Sequence, residues 1–203
     1  MDIFEAIYTR RSIRRYSDEP VPRALIEKIL DAARWAPSAH NRQPWRFAVM
    51  ERAETKHALA SAMGARLRAD LERDGVTQDI VEKDVTRSYQ RITRAPVLIV
   101  VCVSMRDMDT YADARRKLAE YLMATQSVAM AVQNLVLAAH ALGLGACWMC
   151  APLFVQDTVR DVLHLDADWE PQALITVGYP AEKKTKTRNE IGTHTVFLDY
   201  ADE

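Results

Sequence analysis

An unbroken apolar run, PVLIVVCV at residues 96–103, constrains the fold of this chain more than any other segment. Its length is that of a strand and it has no polar face to turn toward water, so it predicts a central strand covered on both sides. The longest helical segment, 117–142, is apolar on nearly every side and is also predicted to be buried. With 203 residues, of which 49% are hydrophobic, the chain is long enough for one core, and we expect a single domain, 1–203.

The spacing of apolar residues predicts the other elements. Helices are predicted around residues 3–7 and 25–33, and at 55–72, 79–94 and 152–163. Strands are predicted at 46–50, in the segment GLGACWM and at 172–177, with a short extended patch at 195–198. Because the helices outnumber the strands and the strands are scattered, the pattern favours an α+β fold.

Charge and hydropathy argue against two classes of partner. The chain has 27 Lys and Arg against 28 Asp and Glu, so no overall field attracts a nucleic acid or an anionic membrane, and neither is expected as a partner. Polar residues also interrupt the segment 117–142, which therefore lacks the ~20 continuous apolar residues that a bilayer requires. These residues are Glu120, Gln126, Gln133, Asn134 and His140. The N-terminal residues do not have the pattern of a signal peptide, so we expect a cytoplasmic protein.

The cysteines and histidines do not predict a metal site. The pair in CWMC, Cys147 and Cys150, has no second CxxC or HxxxH to complete a zinc site, and the five histidines are dispersed. Together with Cys102 these cysteines are too few for a disulfide framework, so we interpret all three as structural residues in a reducing compartment. Motifs typical of hydrolases, P-loop proteins and dinucleotide-binding folds are absent from the sequence.

Two short segments have compositions that a packed core does not require. RRSIRRY, at residues 10–16, places four arginines and a serine within six positions. A phosphate site, a solvated basic face and a small nucleic-acid patch all remain open as explanations for it. PSAHNRQPW, at residues 37–45, combines two prolines with four hydrogen-bonding side chains, which is typical of a loop that holds something.

In their order along the chain, RRSIRRY, APSAHNRQPWRF, LGLGACWM and VGYPAEKKTKTR resemble the FMN-dependent nitroreductase family. The resemblance extends across essentially the whole chain. It implies a nitroreductase-like α+β fold, a three-layer sandwich with a central mixed sheet. It also implies an intertwined homodimer in which each of two FMN molecules at the interface contacts both chains.

The resemblance assigns the basic residues to the charged and polar edges of FMN. The positions that hold the phosphate and the ribityl chain match Arg10, Arg11 and Ser12. Arg14 matches a basic residue at the pyrimidine edge, where a cation stabilises the negative charge of the reduced ring. A late basic residue that closes over the phosphate matches Arg188, with Lys184 as the alternative.

Two further segments match positions near the flavin ring. The loop that reaches the flavin from the partner subunit matches Pro37, Ser38, Ala39, Asn41 and Gln43. The turn whose backbone lies near the reactive face of the ring matches Leu144, Gly145 and Ala146. His40 and Arg42 are bulkier and more basic than many relatives have there, so we assign them to the substrate pocket.

The implied function is that of an FMN-dependent oxidoreductase that uses NADH or NADPH to reduce a small organic acceptor, such as a nitroaromatic compound or a quinone. FMN supplies the chemistry, so no catalytic side chain is expected, and ping-pong hydride transfer should follow because both substrates use one pocket in turn. A non-catalytic flavin-binding protein is the alternative from another class.

A narrower resemblance leads to a second enzymatic alternative. Residues 71–77, 113–120 and 159–178 resemble the nitroreductase-like C-terminal domain of deazaflavin-coenzyme glutamyl ligase. That domain uses FMN to reduce a dehydro precursor in deazaflavin coenzyme biosynthesis. This alternative implies an anionic, phosphate-bearing acceptor.

Overall fold

The computed structural model describes residues 1–198 and contains one four-stranded sheet. Its strands are β1 (Trp45–Met50), β2 (Val97–Val103), β3 (Gly145–Met149) and β4 (Glu170–Gly178). The order across the sheet is β1-β2-β4-β3, so β2 and β4 lie in the centre. The strands predicted at 46–50, 96–103, in GLGACWM and at 172–177 are all present.

Every residue of β2 is buried, because alternate side chains enter two different hydrophobic clusters. Ile99, Val101 and Val103 pack with α2 (Arg23–Arg34) and α5 (Ala114–Ala141) on one face. Leu98, Val100 and Cys102 pack on the other face with α3 (Ala53–Arg73), α4 (Gln78–Thr93) and α6 (Gln156–Leu163). The prediction of a strand covered on both sides is therefore confirmed, as is the three-layer α+β sandwich.

Two helices begin where a carboxylate caps them. The short α1 (Ile3–Thr9) begins after Asp2, whose side chain accepts a hydrogen bond of 2.8 Å from the Glu5 amide. Asp113 caps α5 in the same way, accepting from the Arg116 amide at 2.9 Å. The cap explains why α5 starts three residues before the predicted position.

The direction of the strands and the C-terminal patch differ from the prediction. All three pairings within the sheet are antiparallel, so the expected mixed sheet is wrong for these four strands. Parallel pairing in the described chain is limited to a single bridge between Ser12 and Ala146. Within residues 1–198, the patch predicted at 195–198 forms no strand.

The 28-residue α5 has the length and hydropathy of a membrane span by composition alone. That is weak evidence, because the core helix of a globular protein passes the same test. Here α5 packs against α2 and the sheet, and nine of its residues are buried. One face of α5 therefore lies in the core, whereas Leu118, Leu122, Met123 and Met130 are exposed, so the predicted burial of this helix holds only in part.

Gly145, at the start of β3, permits a close approach between that strand and the segment after α1. A Cβ atom added at Gly145 would lie 2.8 Å from both Cβ and Cγ2 of Ile13. That side chain cannot withdraw, because the Ile13 amide donates to the Ala146 carbonyl at 3.0 Å. The contact fixes the distance between residues 12–13 and β3.

We predict that Gly145→Ala lowers the free energy of unfolding by about 1–3 kcal/mol, through overpacking against Ile13. Gly64→Ala, inside α3, is the matched control, because its added Cβ would lie at an ordinary 3.5 Å from Val85 Cγ1 on α4. This control should gain about 0.5–1 kcal/mol from the better helix propensity of alanine. Urea unfolding measures both, and a Gly145→Ala protein as stable as the wild type would contradict the packing argument.

Candidate functional site

The first part of the candidate site lies where α1 ends against the last turn of α5. Thr9 Oγ1 lies 2.7 Å from His140 Nε2, a hydrogen bond that joins the two helices. Arg10 and Arg11 follow directly, and the Arg10 amide still donates to the Ala6 carbonyl at 3.0 Å. The end of α1 thus positions both guanidinium groups beside α5.

Three arginines, Arg10, Arg11 and Arg188, form a cluster at this point, and we call it the arginine cluster. Burial lowers the pKa of Arg10, and the charges of Arg188 and then Arg11 lower it further. Among residues 1–198, neither Arg10 nor Arg188 has a carboxylate partner. Three neighbouring cations without a counter-ion form a site for an anion, and arginine forks match the geometry of a phosphate. Of the explanations left open for RRSIRRY, this arrangement favours the phosphate site.

Arg11 is held in place by main-chain carbonyl groups. Its Nη1 donates to Tyr8 O at 2.6 Å and to Arg10 O at 2.7 Å, and its Nη2 donates to Lys186 O at 3.4 Å. The Nε atom is buried and has no hydrogen-bond partner among residues 1–198. An unpaired buried donor next to two other cations is what a site for an anionic group requires.

The turn assigned to the reactive face of a flavin lies mostly inside the core. Leu144 is 1% exposed and Ala146 is 6% exposed. The missing side chain of Gly145 has a structural reason of its own, since the close neighbour is Ile13. Gly145 therefore has a packing role, and the assignment of this turn to the flavin stays a prediction.

A second part of the site, which we call the basic cleft, lies between α4 and the segments around residues 15 and 182. Its volume is about 640 Å³, within the range usual for small-molecule sites. The lining residues are Arg14, Arg15, Tyr16, Arg87, Gln90, Arg91, Arg94, Ala181, Glu182 and Lys184. The sequence analysis missed the residues from α4, although the spacing of its arginines at 87, 91 and 94 marks one helix face.

An adjoining cavity of about 320 Å³ shares Arg14, Arg87 and Arg91 with the basic cleft. On its other side it is lined by the end of β3 and the turn that follows, residues 148–151, and we call it the β3 pocket. The exposed Cys150 lies in this turn. The surface segment that shares a cavity with Arg14 is thus 148–151, which directly follows the predicted residues 144–146 in β3 and its turn.

Glu182 organises the inner wall of the basic cleft. It accepts from the Arg14 amide at 2.7 Å, and Lys184 Nζ lies 3.3 Å from its other oxygen. Burial alone would raise the pKa of Glu182, but these donors lower it overall, so the carboxylate stays ionised. Lys184 is therefore paired inside the cleft, whereas Arg188 lies beside Arg10.

The buried cysteines are not poised as nucleophiles or metal ligands. Burial raises the pKa of Cys102 to about 12, and burial also raises the pKa of Cys147 despite the nearby cations Arg14, Arg91 and Lys184. These two thiols are structural, as predicted, but Cys150 is exposed. No group of three or more potential metal ligands occurs in the part of the chain that the structure describes.

The loop at residues 37–43 has an unusual backbone. His40, Asn41 and Gln43 have φ values of 49°, 52° and 52°, in the left-handed region. That conformation costs about 1–2 kcal/mol for a residue with a side chain, so surrounding contacts must hold it. Ser38 Oγ accepts from the Gln43 amide at 3.0 Å, and Arg46 Nη1 donates to Gln43 O at 3.1 Å.

The loop lies away from the arginine cluster within one chain. The Ala39 amide donates to Ser127 Oγ at 3.3 Å, so the loop packs beside the middle of α5. The arginine cluster packs at His140, which is about 20 Å farther along the helix at about 1.5 Å per residue. The polar side chains at 40, 41 and 43 point to solvent, and Pro37 is exposed as well.

Arg42 has a partner that its assignment to a substrate pocket did not anticipate. Its Nη2 lies 2.6 Å from Asp109 Oδ1, and both side chains are about 40% exposed. The amide of Asp109 is held in turn by the buried carboxylate of Glu120 at 3.2 Å. The ion pair fixes the loop and leaves Arg42 less available to an anionic ligand than an unpaired arginine.

Comparison with known proteins connects these features to one family. The family model described as "Nitroreductase family" matches residues 7–179. A protein of Methanothermobacter thermautotrophicus that carries the provisional name NADH dehydrogenase/NAD(P)H nitroreductase is 36% identical over 186 residues, covering 90% of this chain and 79% of that protein.

Two solved structures have the same fold. A provisionally named nitroreductase from Desulfovibrio desulfuricans, crystallised in complex with FMN, is 30% identical with a TM-score of 0.76, covering 99% of each chain. A BluB-like flavoprotein from Clostridium difficile gives a TM-score of 0.82 at 24% identity, covering 98% of this chain and 100% of that one.

We predict that the pKa of His140 reports the charge of the arginine cluster. Burial lowers this pKa, and the cations Arg10 and Arg11 lower it further against the opposing charge of Glu5. Arg10→Gln removes a repelling charge and should raise the pKa of His140, whereas Arg160→Gln, on α6, should not change it. NMR titration of the His140 imidazole measures the shift, and the His140→Gln variant identifies its resonance. An unchanged pKa in Arg10→Gln would contradict the proximity of Arg10 to His140.

Proposed function

The chain belongs to the nitroreductase family, and we propose that it is an FMN-dependent oxidoreductase that takes electrons from NADH or NADPH and passes them to a small organic acceptor. The observation that carries the proposal is the arginine cluster, in which three cations lie together without a counter-ion among residues 1–198. The FMN complex of the relative from Desulfovibrio desulfuricans supports the choice of cofactor. Cytoplasmic localisation stays a prediction.

The residues present fit FMN at both of its polar ends. We assign the phosphate to Arg10, Arg11 and Arg188, because the unpaired Nε of Arg11 and the lowered pKa of Arg10 indicate a place for a dianion. Ser12, bridged to β3, is assigned to the ribityl chain. Arg14 lines the cavity against residues 148–151, where we place the ring.

When bound, FMN supplies the hydride chemistry of the reaction, accepting from the nicotinamide and delivering to the acceptor. The protein binds and orients the reactants. Arg14 and Arg91 place positive charge beside the proposed ring site, which favours a negatively charged ring. Cys147, which lies nearby as a neutral thiol, is not needed as an acid or a nucleophile.

We propose that a second copy of this chain completes the site. The loop at 37–43 lies about 20 Å along α5 from the arginine cluster of the same chain. We therefore propose that the loop contacts the flavin bound by the partner chain. α5 also exposes a row of apolar side chains: Leu118, Leu122, Met123 and Met130. An exposed apolar row of this size marks an interaction surface, and a two-fold axis would bring it onto itself.

We predict that Arg10→Ala combined with Arg188→Ala releases FMN, because each lost charged hydrogen bond weakens binding by about 1.5–3 kcal/mol. Arg52→Ala combined with Arg160→Ala removes the same charge outside the cluster and should keep the flavin. Absorbance at the flavin bands measures the content of the purified proteins. A cluster variant with full flavin content would refute the phosphate assignment.

Turnover separates an oxidoreductase from a non-catalytic flavin-binding protein. We expect anaerobic stopped-flow mixing of the wild type with NADPH or NADH to bleach the flavin band, and a quinone to restore it. A protein that holds FMN but is not reduced by either nucleotide would be a flavin-binding protein only. The order of the two half-reactions also tests the ping-pong scheme.

We predict that Leu122→Glu combined with Met130→Glu yields a monomer that loses FMN, because charge on the apolar row of α5 opposes pairing of two copies. Ile80→Glu, on α4, places a glutamate at an apolar side chain that is 46% exposed and should leave the assembly unchanged. Sedimentation at micromolar concentration measures both. A wild type that sediments as an FMN-loaded monomer would exclude the shared site.

A further inference from the structure

We propose that the basic cleft binds the phosphate monoester of a substrate whose other end reaches the flavin, and that Arg15 and Arg94 recognise that phosphate. The inference rests on the proposed function and names the class of substrate that it uses. Arg15 and Arg94 line the basic cleft but not the β3 pocket. They therefore lie at the outer end of the site, away from the position that we assign to the ring.

The arginines of the cleft come from two facing walls. Arg87, Arg91 and Arg94 are spaced by four and three residues, so they lie on one face of α4. Arg14 and Arg15 lie opposite, on an extended segment whose backbone is fixed because the Ala181 amide donates to Arg15 O at 2.9 Å. With Lys184, six cationic side chains and one carboxylate line the cleft.

Most of these cations lack a partner in the described structure. Arg87 pairs with Asp84 at 2.7 Å, and Lys184 pairs with Glu182. The guanidinium groups of Arg14, Arg15, Arg91 and Arg94 make no hydrogen bond or ion pair with residues 1–198. Several arginines elsewhere pair with acids, as in Arg46–Asp107 and Arg106–Asp168. Four guanidinium groups without a partner in the described chain thus converge on one cleft, in a chain whose net charge is only −1.

Such a grouping opposes folding unless an anion compensates it. Like charges four residues apart on a helix destabilise it by about 0.2–0.5 kcal/mol per pair, and charges facing each other across a cleft add to that repulsion. An anion that binds only the folded chain stabilises the fold and so offsets this repulsion. A solvated basic face would spread its charges over a convex surface, whereas these side chains converge on a cavity of about 640 Å³.

The chemistry of the cleft favours a phosphate monoester over other anions. A monoester carries close to two negative charges and three acceptor oxygens, so several arginine forks bind it at once. A single carboxylate would leave most of the cations unpaired. A nucleic acid needs a basic track that follows many phosphates, and the cleft is bounded and short.

The position of the cleft connects this phosphate to the flavin. Arg14, Arg87 and Arg91 line both the basic cleft and the β3 pocket, so the two cavities lie side by side. A ligand held at its phosphate by Arg15 and Arg94 extends toward residues 148–151. Two sources have this chemistry: the 2′-phosphate of NADPH as electron donor, and a phosphorylated electron acceptor.

Two matched pairs of substrates distinguish the sources. The first pair is NADPH and NADH, compared with menadione as acceptor. The second pair is riboflavin 5′-phosphate and riboflavin, compared as acceptors with NADH as donor. We expect the wild type to prefer the phosphorylated member of one pair, and Arg15→Ala combined with Arg94→Ala to reduce that preference in kcat/KM tenfold or more.

The control is Arg52→Ala combined with Arg160→Ala, which changes the net charge equally and should keep the preference. Flavin content and thermal unfolding of each variant show that the fold is retained. Loss of preference in the first pair identifies NADPH, and loss in the second identifies a phosphorylated acceptor. A wild type without preference in either pair, or a double variant that keeps it, would overturn the proposal.

A binding measurement keeps this inference separate from the proposed function. If the FMN-loaded wild type transfers no electrons with any of these substrates, the proposed function fails. Titration calorimetry with inorganic phosphate then tests whether the basic cleft binds phosphate. Binding that is lost in the Arg15 and Arg94 double variant but kept in the control supports a phosphate site there. No binding to the wild type, or equal binding to both variants, overturns it.

Discussion

Burial of β2 on both faces is the constraint on which the rest of the structure depends. Its side chains alternate between two clusters, so helices must cover both sides of the sheet. With the centre of the sheet covered, ligands can reach it only near its edges. The candidate site lies at the β3 edge, where residues 12–13 approach the strand through a single bridge and the side chain of Ile13 occupies the space above Gly145.

The segment RRSIRRY contributes to both proposed sites because its backbone is fixed at two points. It is held at the Ser12–Ala146 bridge and again at the Tyr16–Pro180 bridge. An extended chain rises about 3.3 Å per residue, so its first arginine and its last lie about 17 Å apart. The first two arginines accordingly join Arg188 beside α5, and the last two face α4. One motif would thereby contact both ends of the proposed ligand site.

The sequence was sufficient for elements whose periodicity is strong, but not for features that depend on contacts between distant segments. The two-sided burial of β2 and the helical run of α5 were readable from apolar spacing. Strand direction is not encoded in that spacing, so the mixed sheet was wrong. The spacing of the α4 arginines does not distinguish a binding face from a solvated one, because the residues opposite them, 181–184, are distant in sequence. In the same way, the sequence offered Lys184 and Arg188 as alternatives for the phosphate, and the contact of Lys184 with Glu182 distinguishes the two.

The two groups of cations differ in a way that bears on what each can bind. Burial and mutual repulsion lower the pKa of Arg10 in the arginine cluster, so that group gains most from a permanently bound dianion. The outer arginines of the basic cleft are exposed, so water and salt screen them and their ligand exchanges more easily. A tightly held cofactor phosphate at the cluster and an exchangeable substrate phosphate in the cleft would each match its environment. The cofactor would then stay in place while the substrates bind and leave in turn.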